Sequence, residues 1–175
     1  MERTYNEISI RGAKAEDAQQ LCAWWNDGAV MAHAGFPHGL GTTEQEVAAQ
    51  IQTERDETCR RHIILLRDTA IGEMVYRRLG DHICEIGIKI CDADRQNRGL
   101  GKIILSLFIE GLFSELGYEK IVLDTDLTNQ RAQHVYEQLG FQKVRINVNS
   151  YRDQLGNMRS SVEYELTKQQ FVSYL

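Results

Sequence analysis

The sequence predicts an α+β fold: a mixed, mostly antiparallel central sheet flanked by helices. Three observations predict it. Strand-like apolar runs follow one another across residues 62–91 with only short turns between them, the pattern of an antiparallel meander. The periodicity then changes to helical over residues 99–116 and returns to strand at 121–126, and a strand–helix–strand crossover requires one parallel strand pair. Finally, 175 residues with 42% apolar and 26% charged side chains suit one domain with its own core, expected to span residues 1–175.

Taken in order, Ile8-Ser9-Ile10-Arg11 alternates as a half-buried strand does, and Ala18, Leu21, Cys22 and Trp25 follow at helical spacing. Residues 26–41 contain Gly28, Gly35, Pro37, Gly39 and Gly41 and read as a loop. Thr43 and Glu46 form a capping box that opens a helix with a thin apolar stripe, expected on the surface. Strands are expected at 62–66, 70–77 and 83–91, the last rich in isoleucine as a buried strand is. The long helix carries Leu100, Ile103, Ile104, Leu107, Phe108, Leu112 and Leu116 on one face, with Gly117 at its C-terminal stop. A helix over 129–139 ends at Gly140, and the tail reads as a hairpin of 143–151 and 160–166. An edge strand in that hairpin leaves a homodimer open.

Composition excludes several classes of function. No stretch approaches the roughly 20 apolar residues of a membrane helix, and the first residues lack the apolar core of a signal peptide. A cytoplasmic protein without a membrane partner is therefore expected. Cys22, Cys59, Cys84 and Cys91 form no C-x-x-C pair and the five histidines are scattered, so no metal site is expected. A net charge of −5 argues against a nucleic-acid partner and favours a cationic one.

The stretch that carries chemistry is Gln96-Asn97-Arg98-Gly99-Leu100-Gly101-Lys102, between a strand and the long helix. A helix N-terminus presents unpaired N–H groups and partial positive charge, and glycines let an anion approach the backbone closely. Arg98 and Lys102 add full charges to the same rim. The sequence is neither a Walker loop nor the three-glycine dinucleotide fingerprint, and a pyrophosphate is its natural guest.

In this stretch the chain resembles the GNAT superfamily of acyl-CoA N-acyltransferases, whose pyrophosphate loop reads Q/R-x-x-G-x-G/A; Gln96, Gly99 and Gly101 match every fixed position. A second hallmark, N-x-R-A-x-x-x-Y-E-x-L-G-F, is met from Asn129 to Phe141. The resemblance implies the GNAT-like α/β/α sandwich, acetyl-CoA as cosubstrate, and direct acetyl transfer to a primary amine, on a protein N-terminus or a small molecule. Trp24-Trp25-Asn26-Asp27 and Ile71-Gly72-Glu73 are loosely similar to the branch of ribosomal-protein N-terminal acetyltransferases, and aminoglycoside N-acetyltransferases share similar features. The rival reading is a noncatalytic acyl-CoA-binding or sensing module.

Site roles follow from the same resemblance. Acetyl-CoA would contact residues 96–102, Asn129 and Arg131, and the backbone of Ile88, Lys89 and Ile90 would polarise the thioester carbonyl. Tyr136 would donate a proton to the departing sulfur, although its residue type equally suits a core aromatic beside Ala132, Val135 and Leu139. Asn129 is also explained as a helix N-cap, and Arg131 as a solvated charge or phosphate neighbour. The base is expected at Glu85 or Glu73, or in ordered water; each carboxylate equally suits an exposed sheet position or an ion pair. The loop bearing His33, Phe36 and His38 would shape the acceptor site, with Tyr151, Arg152 and Asp153 as its other wall and Trp24 and Trp25 as core and groove wall. Arg77 and Arg152 would serve an acceptor carrying a carboxylate.

Overall fold

A computed structural model describes residues 1–96 and 98–175. Within them, eight strands form one sheet in the order β1-β2-β3-β4-β5-β6-β8-β7. These are β1 (Arg3–Tyr5), β2 (Ile8–Gly12), β3 (Cys59–Leu66), β4 (Thr69–Gly80), β5 (Ile83–Ile90), β6 (Lys120–Asp126), β7 (Gln142–Arg152) and β8 (Met158–Thr167). Every neighbouring pair is antiparallel except β5–β6. The five α-helices are α1 (Ala18–Asn26), α2 (Gly28–Met31), α3 (Glu44–Thr53), α4 (Leu100–Ser114) and α5 (Gln130–Gln138). None is long and apolar enough to cross a membrane.

Strand alternation divides the interior into two cores. Ile63 and Ile64 are adjacent on β3 and both buried, yet they face opposite sides of the sheet. Ile64 joins Ile104, Phe108 and Leu112 of α4 and Leu139 beyond α5; Ile63 joins Leu21 and Trp25 of α1, Met31, and Val47 and Ile51 of α3. The thin stripe of α3 is thus enough to dock it on α1.

Two elements differ from the sequence reading. β1 adds a strand by pairing Arg3 with Ile10 and Tyr5 with Ile8, too short a run to alternate visibly. Residues 26–41 are partly helical, not one loop. Asp27 caps α2 by accepting from the Ala29 N–H at 2.8 Å, and a 3-10 turn, Ala32–Ala34, continues it. Gly28 is required there because a Cβ would lie 2.0 Å from the Pro37 carbonyl oxygen.

His62, on the α4 side of β3, is fully buried beside Phe108 at 5.2 Å and Tyr76 at 5.8 Å, and neither ring nitrogen has a hydrogen-bond partner among the described residues. Burial pushes its pKa down to about 4. The unfolded chain takes up this proton near pH 6.5, so stability is complete above that pH and declines as pH falls towards about 4, at roughly 1.4 kcal/mol per unit. We predict that His62→Phe removes about 2 kcal/mol of acid sensitivity between pH 6.5 and 5. Urea unfolding of both proteins at the two pH values checks this; equal slopes would contradict it.

Candidate active site

The parallel pair β5–β6 is the geometric origin of the site. Its ladder covers three steps, Ile83↔Lys120, Cys84↔Ile121 and Glu85↔Val122, and then stops. β5 stays paired to β4 as far as Ile90, and β6 to β8 as far as Asp126. The two halves of the sheet therefore part beyond Glu85, as the family resemblance led us to expect. A cleft of about 980 Å³ occupies the gap, lined by residues 85–90 on one side and 124–126 on the other.

The N-terminus of α4 forms one end of this cleft. Gly99 is its N-cap, with φ of +76°, the left-handed conformation that glycine adopts without a Cβ penalty. Gly99 has no side chain with which to cap the helix, and Gly99, Leu100, Gly101 and Lys102 all line the cleft, where the first N–H groups of α4 face an incoming anion. Gln96 secures the loop: its Nε2 donates to the Ile90 carbonyl at 2.8 Å and its Oε1 accepts from Arg131 at 3.3 Å. Arg98 is exposed, and Lys102 sits over the Tyr174 ring at 4.4 Å. Asn97 lies outside the described residues. Asn129 caps α5, accepting from the Ala132 N–H and donating to Thr125 Oγ1, both at 3.3 Å, while lining the cleft.

Tyr136 is 7% exposed, packed against Phe141 and Tyr164 with ring centroids 5.8 Å away in each case, and it lines the cleft. Desolvation, reinforced by the charge of Asp124, pushes its hydroxyl up to about 12. The phenol therefore holds its proton at neutral pH. No protein hydrogen bond engages that hydroxyl among the described residues.

The two expected bases separate. Glu85 lines the cleft and receives Arg77 Nη1 at 2.9 Å, with 37% of its side chain exposed. Glu73 is buried under α1, where it accepts from Trp25 Nε1 at 2.8 Å, Lys89 Nζ at 3.2 Å and Arg61 Nη1. Burial alone would raise its pKa, but Arg61 and Lys89 overcome that and hold it below the ordinary carboxylate value. Glu73 does not line the cleft; it anchors a buried ion cluster that Glu54 completes through Arg61. Lys89 lines the cleft but directs its ammonium to this cluster, whereas Ile88 and Ile90 line it beside the parted edge of β5.

Two further carboxylates were not recognised from sequence. Asp124 lines the cleft, and its pKa is raised by partial desolvation and by the charges of Glu85 and Glu163. Asp126 is 4% exposed; its desolvation is outweighed by Arg159 Nε at 2.9 Å, Thr128 and the Tyr151 hydroxyl at 2.6 Å, which hold it far below the usual range. Only cross-strand pairing reveals these environments, since Glu163 reaches Asp124 through β8.

Of the residues expected to wall the acceptor site, His33 and Tyr151 line the cleft and Arg77 joins them. Phe36, His38, Arg152 and Asp153 do not: Arg152 donates to the Gly156 carbonyl and Asp153 closes the β7–β8 turn by accepting from Leu155 and Asn157. Trp24 and Trp25 belong to the α1 core.

Comparison with known proteins agrees with this geometry. A family model described as an acetyltransferase (GNAT) domain matches residues 7–142. No curated protein matches by sequence. Among solved structures, spermidine N-acetyltransferase from Vibrio cholerae, in complex with CoA and spermine, superposes with a TM-score of 0.84 at 18% identity, covering 95% of this chain and 98% of that one. A GNAT-family acetyltransferase from Bacillus anthracis gives 0.79 at 17% identity, covering 97% and 99%. The ribosomal L7/L12 alpha-N-protein acetyltransferase RimL, in complex with coenzyme A, gives 0.80 at 14% identity, covering 94% and 96%. At these identities the likeness establishes a common fold.

Proposed function

The chain belongs to the GNAT acetyltransferase family and is an acetyl-CoA-dependent enzyme, and from that premise we propose that it transfers acetyl directly to a primary amine held against the acidic face of the cleft. The observation that carries this reading is the parting of β5 and β6 beyond Glu85. It opens a passage with the N-terminus of α4 at one end and Tyr136, Glu85 and Asp124 along its walls.

The residues fit the cosubstrate in kind. The N–H groups at the start of α4, with Arg98 and Lys102 nearby, suit a pyrophosphate. Residues 86–90 and Asn129 line the passage that a pantetheine arm would follow, and acetyl-CoA supplies the thioester. A backbone N–H from Ile88, Lys89 or Ile90 polarises the carbonyl. Tyr136 gives its hydroxyl proton to the departing sulfur. An alkyl amine, with a reference pKa of about 10, must lose a proton to attack, and a carboxylate of the acceptor face receives the second proton released as the amide forms.

The acceptor is proposed to be cationic, because Glu85 and Asp124 set a negative potential along the cleft and the whole chain carries −5. Both a polyamine and a protein N-terminus satisfy that description. The test is a panel of the two acceptor types incubated with acetyl-CoA. We expect free thiol and acetylated amine to appear in equal amounts for at least one acceptor. Thiol release without acetylated amine would overturn the reading.

We also propose that a second copy pairs along β7, where Val144, Ile146 and Val148 are exposed on the outermost strand. Sedimentation should give a dimer that Val148→Lys dissociates; a monomer for the unaltered chain would refute it.

A further inference from the structure

We infer that Asp124 is the catalytic residue that accepts the amine's proton, standing across the parted strands from the proton donor Tyr136. This inference rests on the transfer reaction proposed above and identifies the base for it.

The position follows from the strand register. Val122 is the last β6 residue paired with β5, so Asp124 is two residues into the opening. Ile121 and Leu123 are buried against α4 and α5, and alternation turns Val122, Asp124 and Asp126 to the opposite face. Glu85 lies opposite Val122 and Glu163 opposite Asp124, which brings three carboxylates together on the acceptor side. Tyr136 approaches from the α5 side. The sheet thus presents its acid and its candidate base from opposite faces of one gap.

The partners of these carboxylates single out Asp124. Glu85 is ion-paired with Arg77 at 2.9 Å. Glu163 receives Arg145 at 3.4 Å and Asn147 at 2.7 Å. Asp126 is saturated by Arg159, Tyr151 and Thr128. Among the described residues Asp124 forms no ion pair and accepts only from its own backbone N–H, although it lines the cleft between two other anions. A carboxylate without a cationic partner, partly desolvated and crowded by like charges, attracts a cationic amine and has raised proton affinity, which is what a base at this point requires.

The step balances as follows. The free amine's lone pair forms the new C–N bond as the C–S bond breaks. The nitrogen's surplus proton passes to Asp124 and the sulfur takes the hydroxyl proton of Tyr136. Water returns the proton from Asp124 to the tyrosine oxygen, leaving amide, CoA thiol and unchanged enzyme.

The test is the pH dependence of kcat for the unaltered chain, Asp124→Asn and Glu85→Gln, with acetyl-CoA affinity measured by calorimetry. Asp124→Asn should lower kcat about a hundredfold, keep acetyl-CoA affinity, and abolish the acidic limb of the profile. Glu85→Gln should retain that limb and move it to lower pH, because it removes one of the charges that raise Asp124. Persistence of the limb in Asp124→Asn, or its loss in Glu85→Gln, would overturn the assignment while leaving the transfer reaction standing. An unaltered chain that acetylates no amine would overturn both. Because the Glu85 arm reads the same limb with Asp124 intact, the assignment stays testable should Asp124→Asn fold poorly.

Discussion

Replacing Gly99 with aspartate is expected to weaken acetyl-CoA binding by about a hundredfold or more without loss of fold. Gly99 has φ of +76°, and a Cβ built on it meets nothing within 4 Å, so the substitution has room. Left-handed backbone costs an ordinary residue roughly 1–2 kcal/mol, and aspartate tolerates it better than most. A carboxylate at a helix N-terminus also favours the helix itself, by about 0.3–1 kcal/mol. The same charge repels a pyrophosphate and competes for the N–H groups that would hold it. Binding and stability should therefore separate: calorimetry loses the binding signal while thermal unfolding hardly moves. Gly99→Ala carries the strain without the charge and should retain most of the affinity. Equal losses in both variants would mean that backbone shape, not anion recognition, is the function of this glycine.

Tyr136→Phe should lower kcat by roughly a hundred- to a thousandfold and leave the affinity for acetyl-CoA within about twofold. The ring contacts with Phe141 and Tyr164 persist in phenylalanine, and the hydroxyl gives up no protein hydrogen bond among the described residues. Such a loss would thus report the chemical step. The hydroxyl is held near 12 by burial and by Asp124, so the unaltered chain should show no basic limb from this group below about pH 10. Unchanged kcat in Tyr136→Phe would remove the tyrosine from the proton path. A parallel fall in acetyl-CoA affinity would make it a binding residue.

Features encoded by neighbouring residues were legible in the sequence. The capping box at Thr43 and Glu46, the N-cap at Asn129, the apolar face of α4 and the left-handed Gly117 and Gly140 beyond α4 and α5 all appear in the structure. The expected pyrophosphate loop rests on the same kind of local signal, because its glycines and the start of α4 adjoin in the chain. What was hidden depends on elements far apart in sequence. Glu73 reads as an ordinary strand carboxylate until α1 covers it with Trp25 and β3 supplies Arg61. Asp124 reads as one residue of a strand until β8 sets Glu163 beside it and β5 sets Glu85 nearby. The final hairpin was recognised, but local pattern does not determine which arm joins the sheet; β8 lies against β6, and β7 is left outermost. In α2, four residues among several glycines offer no measurable helical period, and Asp27 is the one local signal that could have marked its start.

Direct transfer is tested most sharply by the initial-velocity pattern, measured by varying acetyl-CoA against the best acceptor, together with the intact mass of the protein after exposure to acetyl-CoA alone. The account predicts intersecting lines and an unchanged protein mass, because both substrates must occupy the parted strands together. Parallel lines with one acetyl group added to the protein would instead show a covalent intermediate and contradict it. So would an acetyl-CoA complex that turns over with no amine.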